Sequence, residues 1–298
     1  MEELREEQNQ LTTQQEQVDA IYKKAKKYQD DKYYDKAFEL YQKAVNLGSI
    51  DALAGLGWCY LNGNGVEKNV DKALHYYTEA LEQGSVRAQY ELGVMYLEGK
   101  GVPEDCSHGL DLIRKAAAQR YIAARGYLGA LYTEGIGVPK DYSIGLELLN
   151  EAAEQGDSEA MYVLGSCYYC GDGVPKCYSM AFLWYIKSAL EGQVYAQYAV
   201  GQMFDDGEGV GQDRSQAVEW YLKAAEQGSA DAQCRLGEMY ENGISVPQDF
   251  SLAKGWYKKA AEYYYNTWQR KKAEGKYCDY DKSKYFDLER KLKKLDIQ

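Results

Sequence analysis

An all-α solenoid of stacked antiparallel helix pairs is the fold class this sequence predicts. Two observations carry that expectation. A glycine recurs every 36 residues, at Gly57, Gly93, Gly129, Gly165, Gly201 and Gly237. Around each one the same residue types return at helical spacing: an alanine five before and an aromatic three after. A period between about 20 and 50 residues marks supersecondary units that cannot bury their apolar faces alone and must stack. The composition agrees, with 45% apolar residues and only 4 prolines in 298.

Each unit reads in order along the chain. Its first helix places Ala52, Leu56 and Tyr60, and their equivalents, on one face. The repeat glycine removes a side chain so that a second helix can come close. Ala73, Ala181, Ala217 and Ala253 are the small residues expected opposite it, and Gly109 and Gly145 in two repeats predict a tighter approach. A Gly-x-Gly-Val turn follows, as at Gly99–Val102 and Gly171–Val174, where glycine permits positive φ. Asn69, Asp105, Asp141, Asp213 and Asp249 then stand where they can cap the second helix. Gly84, Gly156, Gly192 and Gly228 end that helix.

This pattern resembles the Sel-one-like repeat family, a branch of the tetratricopeptide superfamily. The stretches AQYELGVMYLEGKGVPED, AQYAVGQMFDDGEGV and AVEWYLKAAEQGS carry the resemblance over residues 50–265. It implies a right-handed superhelix and a role in holding other proteins. Cys177 replaces the usual Asp, Ser245 the second turn Gly, and Arg120 and Tyr264 the terminal Gly. The expected organisation is a polar leader at 1–15, a tetratricopeptide-like unit at 16–49, six repeats at 50–265 and capping helices at 266–298. Leu4, Leu11 and Val18 fall seven apart, but Glu and Gln fill the other core positions of that heptad, so a flexible or helical leader is expected over a coiled coil.

Composition also excludes function classes. A net charge of −11 lacks the basic face a nucleic-acid binder needs. No apolar run approaches the roughly 20 residues of a membrane span. The first residues, MEELREEQNQLTTQQEQ, contain no apolar stretch of the secretory kind. Seven irregularly spaced cysteines do not suggest a disulfide framework and point to free thiols in the cytoplasm.

By the resemblance, first helices line the concave face, where a partner would lie. Positions three before, one after and four or five after each glycine share one side of that helix. They place Trp58, Tyr90, Tyr162, Tyr169, Tyr198, Gln202, Asp205, Asp206, Glu238 and Glu241 on it. The N-terminal half is apolar and aromatic, the C-terminal half acidic. That surface suits a protein or peptide carrying apolar and basic residues.

Chemical motifs fare worse. Cys167-Tyr-Tyr-Cys170 has redox or zinc form. Zinc needs four ligands, the two histidines His75 and His108 lie in other repeats, and the pair ends a helix, where the dipole disfavours a thiolate. Cys167 is expected in the core. Ser251-Leu-Ala-Lys254 matches the S-x-x-K of penicillin-binding enzymes, to which some secreted relatives of the family have been linked, but lacks its partner motifs. Asp205-Asp206-Gly-Glu208-Gly is a repeat turn, without the ligand spacing of an EF-hand. The expectation is a scaffold or adaptor with no catalytic, metal or cofactor residue. The alternatives are a hydrolase of the penicillin-binding type or a self-associating structural protein.

Overall fold

The computed structural model describes the backbone of residues 2–276 and 279–296, and side chains from residue 14 onward. The side chains of Leu4 and Leu11, and Cys278, lie outside the described residues. Within them the protein forms fifteen α-helices and no strand. The chain divides into two compact units, residues 1–140 and 141–298.

The first unit holds α1 (Glu2–Asp30), α2 (Tyr34–Asn46), α3 (Ile50–Asn62), α4 (Val70–Glu82), α5 (Val86–Glu98), α6 (Cys106–Ala118) and α7 (Ile122–Glu134). The second holds α8 (Tyr142–Glu154), α9 (Ser158–Cys170), α10 (Tyr178–Leu190), α11 (Val194–Asp206), α12 (Arg214–Glu226), α13 (Ala230–Asn242), α14 (Phe250–Ala273) and α15 (Asp279–Leu295). In each unit consecutive helices pack as pairs, and each pair packs on the next. The repeating helices are 13 residues long, until α14 runs on for 24.

Local chemistry sets these boundaries. Asn69, Asp105, Asp141, Asp213 and Asp249 each accept a hydrogen bond from a backbone N–H of the helix they precede. The N–H groups of Asn69, Asp105, Asp213 and Asp249 reach back to the aromatic of the preceding helix: Asp213 to the Phe204 carbonyl at 2.8 Å, Asp249 to that of Tyr240 at 2.9 Å. The turn is therefore pinned at both ends. First helices are capped too, by Ser49, Ser85, Asp157, Gln193 and Ser229. The Gly-x-Gly turns take positive φ, as at Gly171 and Gly173. Ser245 and Arg120 hold the same left-handed conformation without being glycine. Tyr264 makes no turn; it lies inside α14, buried, and the helix continues past it.

The repeat glycines make room for a different partner than expected. A Cβ on Gly57 would stand 2.8 Å from the Tyr77 ring, and one on Gly201 would stand 2.7 Å from Tyr221. Gly165 and Gly237 face Tyr185 and Tyr257 in the same way. The alanines lie one helical turn before these tyrosines and are themselves fully buried. The physical reason is shape: a flat ring needs a surface without a Cβ, and a neighbouring turn of alanine lets it lie down. Where the second helix carries Gly109 the approach is closer, since a Cβ there would meet the Gly93 carbonyl oxygen at 2.7 Å. Tyr41, Tyr77, Tyr221 and Tyr257 are among the largest fully buried side chains. Each such ring is worth roughly 2 kcal/mol of apolar transfer.

At the N-terminus, α1 begins at Glu2 and is longer than the repeating helices, and Val18 and Ala25 on it are buried. At the C-terminus, α15 covers the last pair with Leu288 and Leu295, packed among Ala230, Cys234, Tyr257 and Tyr264.

Candidate functional site

The first helices of the N-terminal unit surround a hollow of about 760 Å³. Tyr22, Lys26 and Gln29 enter from α1, Asp51 and Trp58 from α3, and Arg87, Tyr90 and Glu91 from α5. Tyr121, just before α7, closes one side. The aromatic walls are braced from behind: Trp58 lies 5.9 Å from Tyr34, and Tyr90 lies 5.5 Å from Tyr121 and 6.0 Å from Tyr127. Trp58 and Tyr90 both line this hollow.

The floor is polar. Arg87 is 13% and Glu91 20% exposed in their side chains, and Arg87 Nε lies 4.0 Å from Glu91 Oε1. Arg87 Nη1 donates to the Tyr22 hydroxyl at a long 3.5 Å. Tyr41 donates to Gln29 Oε1 at 2.7 Å. Burial pushes the Tyr41 and Tyr121 hydroxyls up to about 12, against the pull of Arg87. It raises the Glu91 carboxyl as well, opposed by Arg87 and Lys100.

The C-terminal unit arranges its acids differently. Asp205 is buried and paired with Arg235 and with Arg214 Nε at 3.2 Å. Glu238 takes Arg235 at 2.8 Å and Lys291 of α15 at 2.7 Å. Glu241 accepts from the Tyr257 hydroxyl at 2.8 Å and meets Lys294 at 3.5 Å. Asp231 accepts from Tyr264 at 2.8 Å and from Tyr280 at 3.3 Å. The open acidic face expected from sequence is thus corrected at Asp205, Glu238 and Glu241, whose charges are matched by cations and hydroxyls of the chain's own later helices. For Asp205 the cause is Arg214 of α12 and Arg235 of α13; for Glu238 and Glu241 it is also α15, whose Lys291 and Lys294 follow the charge of α13 while its leucines follow the apolar side. Gln202 and Asp206 remain exposed.

Tyr162, Tyr169 and Tyr198 of this unit are half-buried. Tyr162 packs on Tyr185 at 5.6 Å and Tyr195 at 6.0 Å, and Tyr198 on Tyr221 at 5.6 Å. Tyr169 donates to Glu208 at 2.7 Å, which pushes its own titration up to about 12. Tyr162 and Tyr169 lie on α9 and Tyr198 on α11, first helices of the second unit.

Sequence reasoning missed Arg87, Glu91 and Arg235. Glu91 and Arg235 share one register, two residues before the repeat glycine, where the other repeats carry Gly55, Tyr127, Val163 and Ala199. A charge in a slot otherwise small or apolar was the available signal.

The remaining motifs carry no assembled chemistry. Cys167 is buried and Cys170 exposed. Burial pushes Cys59 and Cys234 up to about 12. Among the described residues no three His, Cys, Asp or Glu side chains gather as a metal site. Lys254 is paired with Asp296 at 3.1 Å, and Ser251 lies exposed in the first turn of α14. His75 is exposed, 3.9 Å from Glu79. Among the described residues no helix is long and apolar enough to cross a membrane.

Comparison with known proteins agrees with the repeat geometry. The Sel1 repeat model matches residues 29–49, 50–85, 86–121, 122–157, 158–193, 194–229 and 230–262. The first of these takes in α2, in the segment read from sequence as tetratricopeptide-like. A Sel1 repeat protein from Oxalobacter formigenes is similar at 30% identity and TM-score 0.61, over 80% of this chain and 96% of that one. A protective antigen of uropathogenic Escherichia coli with an SLR fold is similar at 32% identity and TM-score 0.55, over 95% of this chain and 64% of that one. An immunity protein from Pseudomonas aeruginosa follows at 27% identity and TM-score 0.53, over 70% of this chain and 81% of that one. A search among curated proteins finds no match. With seven consecutive matches over helices that pair and stack as the 36-residue period requires, the chain belongs to the Sel1 repeat family.

Proposed function

We propose that the protein is a non-catalytic scaffold that holds a segment of another protein on the face formed by its first helices. The observation that carries this is the aromatic hollow of the N-terminal unit, where Trp58, Tyr90, Tyr22 and Tyr121 surround open space. Rings half-buried beside a vacant volume are the kind of surface on which interface energy concentrates. Exposed Asp19 and Asp51 on its border favour basic residues in the bound segment, beside the apolar ones that the rings would take. On the first helices of the second unit, Tyr162, Tyr169, Tyr198, Gln202 and Asp206 would offer a partner a surface of their own. Glu238 and Glu241 act there chiefly by fixing α15, and Asp205 by holding Arg214 and Arg235. Free, exposed Cys106 and Cys170 suit a reducing compartment such as the cytoplasm.

Site-specific photo-crosslinking in the source cells tests this. A benzophenone side chain at position 58 or 90 should trap one recurrent partner. The same group at Lys72 or Glu219, exposed on second helices, should not. Trp58→Ala combined with Tyr90→Ala should weaken that partner's binding at least about tenfold, a loss of about 1.4 kcal/mol. Equal trapping from the outer positions would remove the assignment.

A further inference from the structure

We propose that the hollow of the N-terminal unit is a carboxylate-recognition site, with Arg87 as its anion anchor. This rests on the reading of that hollow as a partner-binding surface and names what the partner must carry.

Arg87 breaks two local preferences at once. It lies in the first turn of α5, where the helix dipole favours anions and disfavours a cation. Its side chain is 13% exposed, so the charge has been taken largely out of water. A buried guanidinium is tolerable when its donors are filled, and it has five of them in a planar fork. The contacts at Arg87 do not fill them. Nε lies 4.0 Å from Glu91, beyond hydrogen-bond length, and Nη1 is 3.5 Å from the Tyr22 hydroxyl, at its outer limit. The Tyr41 hydroxyl, whose own proton goes to Gln29, accepts from Arg87 and takes one of its donors, which leaves the fork short of a carboxylate at hydrogen-bond distance. Broken local rules at one residue are the usual mark of a site.

The second unit shows what the same chemistry looks like when complete. Arg235 also lies on a first helix, is 40% exposed, and is held by Asp205 through one nitrogen and by Glu238 at 2.8 Å through another. Even with more access to water, that guanidinium has two carboxylates. Arg87, with less access, has one distant carboxylate and a vacant volume beside it. A carboxylate entering the hollow would supply the missing bidentate partner. The rings of Trp58, Tyr90 and Tyr121 would take the apolar residues flanking it. Two sources share this chemistry: the chain terminus of a partner, or an Asp or Glu side chain within it.

Glu91 acts as the competitor. It faces Arg87 from the same helix, and an incoming anion must displace it or share the guanidinium with it. Neutralising it therefore has the opposite effect to neutralising Arg87, which a purely structural ion pair would not give.

The test uses the full chain and a synthetic array of apolar and aromatic octapeptides in three forms: free C-terminus, amidated C-terminus, and amidated with one internal Glu. Binding is read by the anisotropy of a fluorophore on the N-terminus of each octapeptide, and Trp58 fluorescence, assigned by Trp58→Phe, locates it in the hollow. The carboxylate-bearing forms should bind at least tenfold more tightly than the plain amides, and which of the two is preferred identifies the source. Arg87→Gln should abolish the difference, and Glu91→Gln should tighten the acids several-fold. The comparison of acid with amide needs no variant, so a folding defect in Arg87→Gln leaves the test intact. Amides binding as tightly as acids would overturn the anion role and leave the hollow as a peptide site. No octapeptide binding in any form, or binding unaffected by Trp58→Ala with Tyr90→Ala, would overturn both.

Discussion

Cys177 stands where five other second helices carry Asn or Asp. Its backbone lies at φ −151° and ψ 98°, close to the −147° and 95° of Asp213, yet its side chain caps nothing. The geometry for a cap is present and only the acceptor is missing. Cys177→Asp should therefore stabilise the protein by about 1 kcal/mol, while Cys177→Ala should not. Urea unfolding checks this, as a raised midpoint at unchanged slope. Caps of this kind were legible in the sequence because they act within three residues of themselves. Arg87 was not, because its meaning depends on Tyr22, 65 positions away. Asp205 misled for the same reason: nothing near it in sequence announces Arg235, 30 residues on.

Helix pairing turns on the glycine that faces a tyrosine. A Cβ at Gly237 would clash with the Tyr257 ring, which is fully buried and tied through its hydroxyl to Glu241. The ring cannot swing aside without losing that bond. Gly237→Ala should destabilise by roughly 2 kcal/mol, because overpacking outweighs the gain in helix propensity. Gly255, inside α14, has nothing within 4 Å of the equivalent position and is exposed. Gly255→Ala should stabilise by about 1 kcal/mol. The two variants make the same chemical change in paired helices, so opposite shifts in thermal midpoint isolate the close approach from propensity. The 36-residue period revealed that each glycine meets a neighbour. It did not reveal which one, since alanine and tyrosine recur with equal regularity one turn apart on the second helix. The extension of α14 was legible as a break in the pattern. The docking of α15 was legible as a cap, but not as the partner of the acidic residues on α13.

Taken over the whole chain, a net charge of −11 conceals two half-buried glutamates that titrate in opposite senses. Burial raises Glu91, and Arg87 and Lys100 only partly oppose it. Burial also works to raise Glu238, but hydrogen bonds and charge from Lys291 and Arg235 outweigh it and hold Glu238 below the usual glutamate value. An unfolded glutamate titrates near about 4.3. Between that value and the higher folded value of Glu91, the folded state binds more protons, so stability falls as pH rises. Protection around α5 should therefore increase as pH drops through the folded value of Glu91, and the gain should be complete below about 4.3. Glu238 runs the other way. Its contribution is full above the unfolded value and is lost as pH falls through its lower folded value, loosening α15 from α13. Asp157, also raised by burial, sits at the start of α9, so segments must be compared, not units. Backbone hydrogen exchange followed by mass spectrometry from pH 6 to pH 3, corrected for intrinsic rates, separates α5 from α13 and α15. Opposite slopes are expected; slopes of one sign in both places would show that bulk charge, not local pairing, governs the acid response.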